Sequence, residues 1–237
     1  MLELGNVGVR YKLHEALHGV SARIAKGEIS VILGANGAGK SSLLKAIAGL
    51  VKTEPGSDIV MNGHRLTGMR PHQIVELGIA LVPEGRGIFA DLTVAENLQL
   101  GAFARRARGR ETETLRNVHA LFPRLAERRG QIVRTMSGGE QQMVAIGRAL
   151  MSNPEILMLD EPSLGLSPVL TKDLFRSLTK IAQAGVGILL VEQNARQSLK
   201  IAAYGYMLEN GRIGGEGRAE DLMHDASVVS AYLGGAA

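Results

Sequence analysis

The segment Gly34-Ala35-Asn36-Gly37-Ala38-Gly39-Lys40-Ser41 has glycine, lysine and serine at the spacing that cradles phosphates, G-x-x-x-x-G-K-[ST]. Each residue type answers a physical demand. Gly37 and Gly39 let backbone N–H groups turn toward an anion with no side chain in the way. Lys40 supplies a cation for β- and γ-phosphate oxygens, and Ser41 offers a hydroxyl to Mg²⁺. The apolar stretch before the loop reads as a strand, and Lys40–Leu50 reads as a helix with Ser41 and Ser42 in its first turn, so the helix N-terminus adds its partial positive charge. Asn36 stands where a dinucleotide fingerprint needs its second glycine, which excludes that reading.

A second constellation is the apolar run Ile156–Leu159, ending in Asp160 and Glu161. A carboxylate at the end of a buried strand beside a phosphate loop suits Mg²⁺, so Asp160 is the expected ligand. Glu161 lies one position farther out, where it polarises a water for in-line attack on the γ-phosphate. Pro162 stops the strand, and Ser167-Pro168 opens the next helix. A third segment, Met136-Ser137-Gly138-Gly139-Glu140-Gln141-Gln142, precedes a helix, and Ser137 with Glu140 forms an S-x-x-E capping box.

The elements that position these residues follow from hydrophobic periodicity. Leu2–Val9, Gly19–Ile24, Glu28–Leu33, Ile79–Val82, Ile156–Leu159, Gly187–Val191, Tyr204–Leu208 and Arg212–Gly215 read as strands. Helices are expected over Gly139–Leu150 and Val169–Ala184, and the pattern is helical from Thr93 to about Phe122. The basic run Arg105–Arg110 reads as a solvated loop. His14 and His18 fall in what reads as a turn between strands, which argues against a metal site there. Short apolar strands alternating with helices predict an α/β fold with a mainly parallel sheet covered on both faces. The expected division is one domain: residues 1–92 and 137–237 as core, and 93–136 as an inserted helical subdomain.

Composition narrows the function. The chain has 237 residues, 45% of them apolar, enough for a sizeable core. Aromatics are 3% and the formal charge is +4, which argues against a single-stranded nucleic-acid platform. With no cysteine, disulfides and thiolate metal sites are ruled out. The apolar run Val186–Val191 is too short to span a bilayer, and Met1–Val9 lacks the features of a signal peptide, so a soluble chain working where it is made is expected.

Placed shortly before the acidic strand, the segment Met136–Gln142 resembles the L-S-G-G-Q signature of ABC ATPases, with Met136 replacing Leu and Glu140 replacing Gln. The resemblance covers nearly the whole chain. It implies a P-loop NTPase core with an N-terminal antiparallel β subdomain, an activity of ATP hydrolysis, and the cofactors ATP and Mg²⁺. Nucleotide would meet Tyr11 stacked on adenine, Ala16 as a wall of that pocket, and Gly34, Ala35, Asn36, Gly37, Ala38, Gly39, Lys40, Ser41 and Ser42 around the phosphates. Ser137, Gly138, Gly139 and Glu140 of one cassette would cover the γ-phosphate held by another, in a head-to-tail ATP sandwich. Metal ligands would be Ser41, Glu84 and Asp160, and catalysis would rest on Glu161, Gln193 and Lys40.

Three positions depart from the family pattern: Glu84 stands where Gln is usual, Ser163–Ser167 where most members have S-A-L-D, and Gln193 where most have the switch His. The departures imply a slower enzyme, although Glu161 argues against a dead site. The strings V-P-E-G-R, D-E-P-S-L-G-L and L-V-E-Q-N look like the smaller ATPase (LivF-type) of branched-chain amino acid importers, ahead of urea, amide or aromatic-acid importers. A nucleic-acid-associated ABC ATPase is disfavoured by the single phosphate loop and the short stretch between Glu84 and Ser137. The implied partners are a paralogous ATPase, or a second copy in isolation, two permease subunits docking near Ile88, Phe89 and Leu92, and indirectly a periplasmic solute-binding protein, with no nucleic acid. The implied location is peripheral, on the cytoplasmic face of the inner (plasma) membrane.

Overall fold

The computed structural model describes residues 1–226 and 228; residues 227 and 229–237, the end of the expected core segment, lie outside the described residues. Ten strands are described: β1 (Leu2–Tyr11), β2 (His14–Ile24), β3 (Ile29–Leu33), β4 (Asp58–Met61), β5 (His64–Arg65), β6 (Ile79–Val82), β7 (Ile156–Asp160), β8 (Gly187–Glu192), β9 (Tyr204–Glu209) and β10 (Arg212–Arg218). The described α-helices are α1 (Lys40–Ile47), α2 (Pro71–Glu76), α3 (Val94–Gly101), α4 (Glu111–Leu121), α5 (Pro123–Glu127), α6 (Gly138–Met151), α7 (Pro168–Gln183), α8 (Ala195–Leu199) and α9 (Ala219–Leu222).

Two sheets organise them. The first is antiparallel, in the order β2-β1-β4-β5. The second has the order β10-β9-β3-β8-β7-β6, parallel from β9 to β6, with β10 added antiparallel as a hairpin. Every residue of β3, β7 and β8 is buried, as a central parallel strand covered on both faces requires. One apolar cluster fills the face under α3, α4, α6 and α7, with Leu98, Val118, Ile146 and Leu178 among its members. A second joins the antiparallel sheet to α1 through Leu17, Ile24, Leu43 and Ile47. These two cores fix the carboxyl ends of β3, β7 and β8 side by side.

Several expectations are revised. The helix expected to reach Leu50 ends at Ile47, because Gly49 takes φ +69° and a side chain there would press on Ile74 and the Met69 carbonyl. His14 and His18 lie on β2, where hydrogen bonding along β1 overrides the turn-like sequence. Among the described residues no cluster of three His, Cys, Asp or Glu side chains could hold a metal. The basic run is only partly a solvated loop. Arg105–Ala107 forms a 3₁₀ turn, and Arg106 reaches back to the carbonyls of Asn153 (2.9 Å) and Glu76 (3.3 Å) and to Glu155 (3.5 Å). Ile88 and Leu92 are half-buried, Ile88 against the larger core; Phe89 (52%), Leu100 (46%) and Phe103 (84%) are the exposed apolar residues of that region. No described helix is long and apolar enough to cross a membrane.

Candidate nucleotide site

The loop after β3 and the first turn of α1 form one wall of a cavity of about 520 Å³, lined by Asn36, Gly37, Gly39, Lys40, Ser41 and Ser42. Gly39 takes φ +105°, and a Cβ there would lie 2.6 Å from the Ala16 carbonyl oxygen. Only glycine lets the loop pass this close to β2. Ala38 points the other way, into the core, and its carbonyl accepts from Gly211 N–H at 3.0 Å. Gly34 packs against β9, and Ala35 contributes its carbonyl to Lys40.

Lys40 is 4% exposed. Its ammonium donates to the carbonyls of Gly34 (2.8 Å) and Ala35 (3.1 Å), and pairs with Glu161 Oε1 at 3.1 Å. All three of its donors are therefore engaged, and they converge in the loop where phosphate oxygens would enter. Glu161 adopts φ +46°, rare for a residue with a side chain, and its N–H donates to the Val191 carbonyl at 2.9 Å. That bond swings the carboxylate off the end of β7 toward the cavity. Gln193 Nε2 donates to Glu161 Oε2 (2.7 Å) and to Asn36 Oδ1 (2.6 Å), so one amide joins the phosphate loop to the acidic strand end.

Asp160 is buried at the end of β7 and accepts from Ser41 Oγ at 3.2 Å. Burial pushes its pKa up; the Ser41 hydrogen bond opposes, the charges of Glu161 and Glu84 push further up, and Lys45 opposes. A carboxylate so placed gains from a nearby cation. Ser41, Asp160 and Glu84 make a sparse oxygen set. This suits Mg²⁺, which keeps waters and phosphate oxygens in its shell rather than filling an all-protein cage.

Tyr11 (40% exposed), Ala16, Glu84, Glu161 and Gln193 also line the cavity, as do His14 and Leu164, which sequence reasoning did not select. His14 follows the β1–β2 turn and pairs with Tyr11 in register, so strand pairing was the signal that would have placed it. Ser137, Gly138, Gly139 and Glu140 do not line this cavity. They form the N-terminus of α6, capped reciprocally: Ser137 N–H and Oγ donate to Glu140 Oε2 (3.0 and 2.8 Å), and Glu140 N–H donates to Ser137 Oγ. Burial works against ionisation of Glu140, but the Ser137 hydrogen bonds and the charges of Arg128 and Arg124 bring its pKa below the ordinary value. Arg86 ties the loop after Glu84 to this helix through Gln141 Oε1 at 2.5 Å.

Comparison with known proteins gives this arrangement its family. Residues 17–164 match the ABC transporter family. The chain is 47% identical over 235 residues to the high-affinity branched-chain amino acid transport ATP-binding protein BraG of Pseudomonas aeruginosa, covering 99% of this chain and 100% of that one. It is 37% identical to a probable branched-chain amino acid transport ATP-binding protein, LivF, of Archaeoglobus fulgidus, covering 99% of each. Among solved structures, the ADP conformation of MJ1267, an ATP-binding cassette of an ABC transporter, superposes with a TM-score of 0.85 at 27% identity, covering 99% of this chain and 98% of that one. The parallel sheet with its phosphate loop is thus a P-loop NTPase core, and the chain belongs to the ABC transporter family as an ATP-binding cassette, an ATPase.

Proposed function

We propose that this cassette hydrolyses MgATP to drive an importer of branched-chain amino acids. The observation that carries the cargo is the 47% identity to a branched-chain amino acid transport ATP-binding protein along essentially its full length. Lys40 moves from Glu161 onto β- and γ-phosphate oxygens when ATP enters, and the adenine rests on Tyr11 beside Ala16. Ser41, Asp160 and Glu84 would hold Mg²⁺. Bound Mg²⁺ supplies charge neutralisation across the phosphates. Glu161, freed from Lys40, polarises the attacking water, and Gln193 orients Glu161 and donates to the γ-phosphate.

Ser137–Glu140 would complete the site from a second cassette joined head to tail, either a paralogue or another copy of this chain. That the N-terminus of α6 does not line the cavity of its own chain supports this reading. A related cassette, MJ0796, has a dimeric post-hydrolysis structure with ADP and Pi (TM-score 0.76, 26% identity). The exposed residues Phe89, Leu100 and Phe103 would meet two permease subunits, placing the protein at the cytoplasmic face of the membrane, with a periplasmic binding protein acting at a distance.

The test is uptake of labelled leucine, isoleucine and valine in cells lacking this gene. Wild-type protein should restore it and Glu161→Gln should not. Normal amino-acid uptake with loss of urea, amide or aromatic-acid uptake would reassign the cargo. Cysteines at 89 and 103 should cross-link to a permease; cross-links confined to the ATPase would place docking elsewhere.

A further inference from the structure

The last residue of β8, Glu192, is 3% exposed and plays no part in the steps above. A buried carboxylate loses several kcal/mol of hydration unless the fold replaces it. No cation pairs with it among the described residues. Backbone donors replace the water instead. Oε1 accepts from Ser163 N–H at 3.0 Å and Oε2 accepts from Gln193 N–H at 3.3 Å, and the Ser163 side chain and the Asn194 N–H also favour the charged carboxylate. Burial still leaves its pKa above the ordinary carboxylate value, with these bonds opposing.

The donors belong to two different loops. Ser163 follows Glu161 by two residues, in the segment between β7 and α7; Gln193 and Asn194 lead from β8 into α8. The two loops also meet where Gln193 donates to Glu161 at 2.7 Å, and where Glu161 N–H donates to the Val191 carbonyl. Glu161 sits in a strained backbone conformation that persists only while its surroundings over-determine it. A single rigid carboxylate holding both loops supplies that restraint.

We propose that Glu192 is a positioning residue for hydrolysis: its buried carboxylate clamps the loop after Glu161 to the loop carrying Gln193, and so holds those two side chains in register. The inference rests on the reading of Glu161 and Gln193 as residues of the hydrolytic step. Glu192 itself makes no hydrogen bond to the phosphate loop, and the clamp reaches that loop only through the side chains of Gln193 and Glu161, so its loss acts on turnover more than on nucleotide binding. A misplacement of about 1 Å lowers a rate by about a hundredfold.

Glu192→Asp is the sharpest probe. It keeps the charge and the adjacent N–H partners but falls one methylene short of Ser163. Single-turnover hydrolysis and ATP affinity are measured on the purified protein, with amide hydrogen exchange at Ser163, Gln193 and Asn194. The expected result is turnover lowered about ten- to a hundredfold, a much smaller change in ATP affinity, and faster exchange at Ser163. Glu192→Gln, which turns an amide N–H toward a backbone donor, should show the same split. Glu161→Gln is the reference. If it stalls while both Glu192 variants turn over at the wild-type rate, the clamp is overturned alone. If Glu161→Gln turns over normally, the underlying reading and the clamp both fall. A parallel loss of affinity and turnover with a lowered Tm would make Glu192 a structural residue only.

Discussion

Replacing Glu161 by glutamine separates two roles that the structure gives this one carboxylate. The first is chemical. An amide keeps the shape and the hydrogen bond to Gln193 but cannot take a proton from water, so turnover should fall about 10²- to 10⁴-fold. The second is electrostatic. Glu161 Oε1 lies 3.1 Å from Lys40 Nζ, with side-chain exposures of 10% and 4%. ATP must draw Lys40 away from this partner and bring negative charge toward the carboxylate. Desolvation offsets much of the ion pair's Coulomb attraction, leaving a net effect of about 1–2 kcal/mol, which corresponds to roughly five- to thirtyfold tighter ATP binding in Glu161→Gln. The carbonyls of Gly34 and Ala35 still hold Lys40 in the variant, so the gain is bounded. Calorimetric titration with MgATP reads the affinity, single-turnover hydrolysis reads the chemistry, and size-exclusion chromatography with ATP reads a trapped dimer. Near-normal turnover would refute Glu161 as the base. Turnover lost with unchanged or weaker ATP binding would refute the idea that the Lys40 pair competes with nucleotide.

Other perturbations follow from the same geometry. Lys40→Ala removes the only ammonium inside the loop and should weaken MgATP binding by about a hundredfold or more, measured by calorimetry. Gln193→Ala removes the amide bridging Asn36 and Glu161 and should lower turnover about ten- to a thousandfold with ATP affinity nearly unchanged, measured by steady-state ATPase assay. Because a glutamine does not titrate, residue 193 should contribute no pH dependence, whereas Gln193→His should acquire one near neutral pH. Glu155 is buried enough to oppose its charge, yet the Asn62 hydrogen bond and the Lys26 and Arg106 cations bring its pKa below 4.5. Its stabilisation is therefore present above pH 4.5 and lost as pH falls through the lowered value. Glu155→Ala should cost about 0.5–1 kcal/mol at pH 7, read as a lower Tm, with the difference vanishing in acid.

What was legible in the sequence was whatever the chemistry itself dictates. The phosphate loop, the acidic strand end and the capping box are local strings whose residue types and spacing are fixed by a ligand or by a helix terminus. The wholly apolar strands expected at Ile156–Leu159 and Gly187–Val191 were legible because short apolar runs bounded by turn residues suit a buried strand, and in the structure they extend one residue farther, to Asp160 and Glu192. The pairing of β4 with β5 was not, although Asn62-Gly63 between them is a hairpin signal. Two short strands with exposed edges carry too little periodicity to stand out. The short helices α2 and α8 went unread because one or two turns show no stripe. Arg106 was unreadable in principle, since its neighbours in sequence are basic and solvated while its partners, Glu76, Asn153 and Glu155, are distant in the chain.

The same distinction separates the two halves of the candidate site. Residues that belong to the carboxyl ends of β3, β7 and β8 are brought together by sheet register: Leu33 pairs with Glu192, and Asp160 with Val191. Any sequence that forms this sheet brings Lys40, Asp160, Glu161 and Gln193 within reach of one another. Ser137–Glu140 has no such constraint, because α6 packs on α3 and α4 rather than pairing in the sheet, and its N-terminus does not line the cavity. One chain therefore builds a cavity whose rim carries the half-exposed Leu164 and Tyr11, with Leu13 fully exposed at the β1–β2 turn. Apolar side chains around a phosphate cavity gain nothing from water, and inside it Lys40, Glu161 and Gln193 take up one another's hydrogen-bonding groups, which an entering phosphate would disturb. A second surface that covers the rim and brings its own N–H donors resolves both features at once. That is the physical content of the head-to-tail dimer proposed for this cassette.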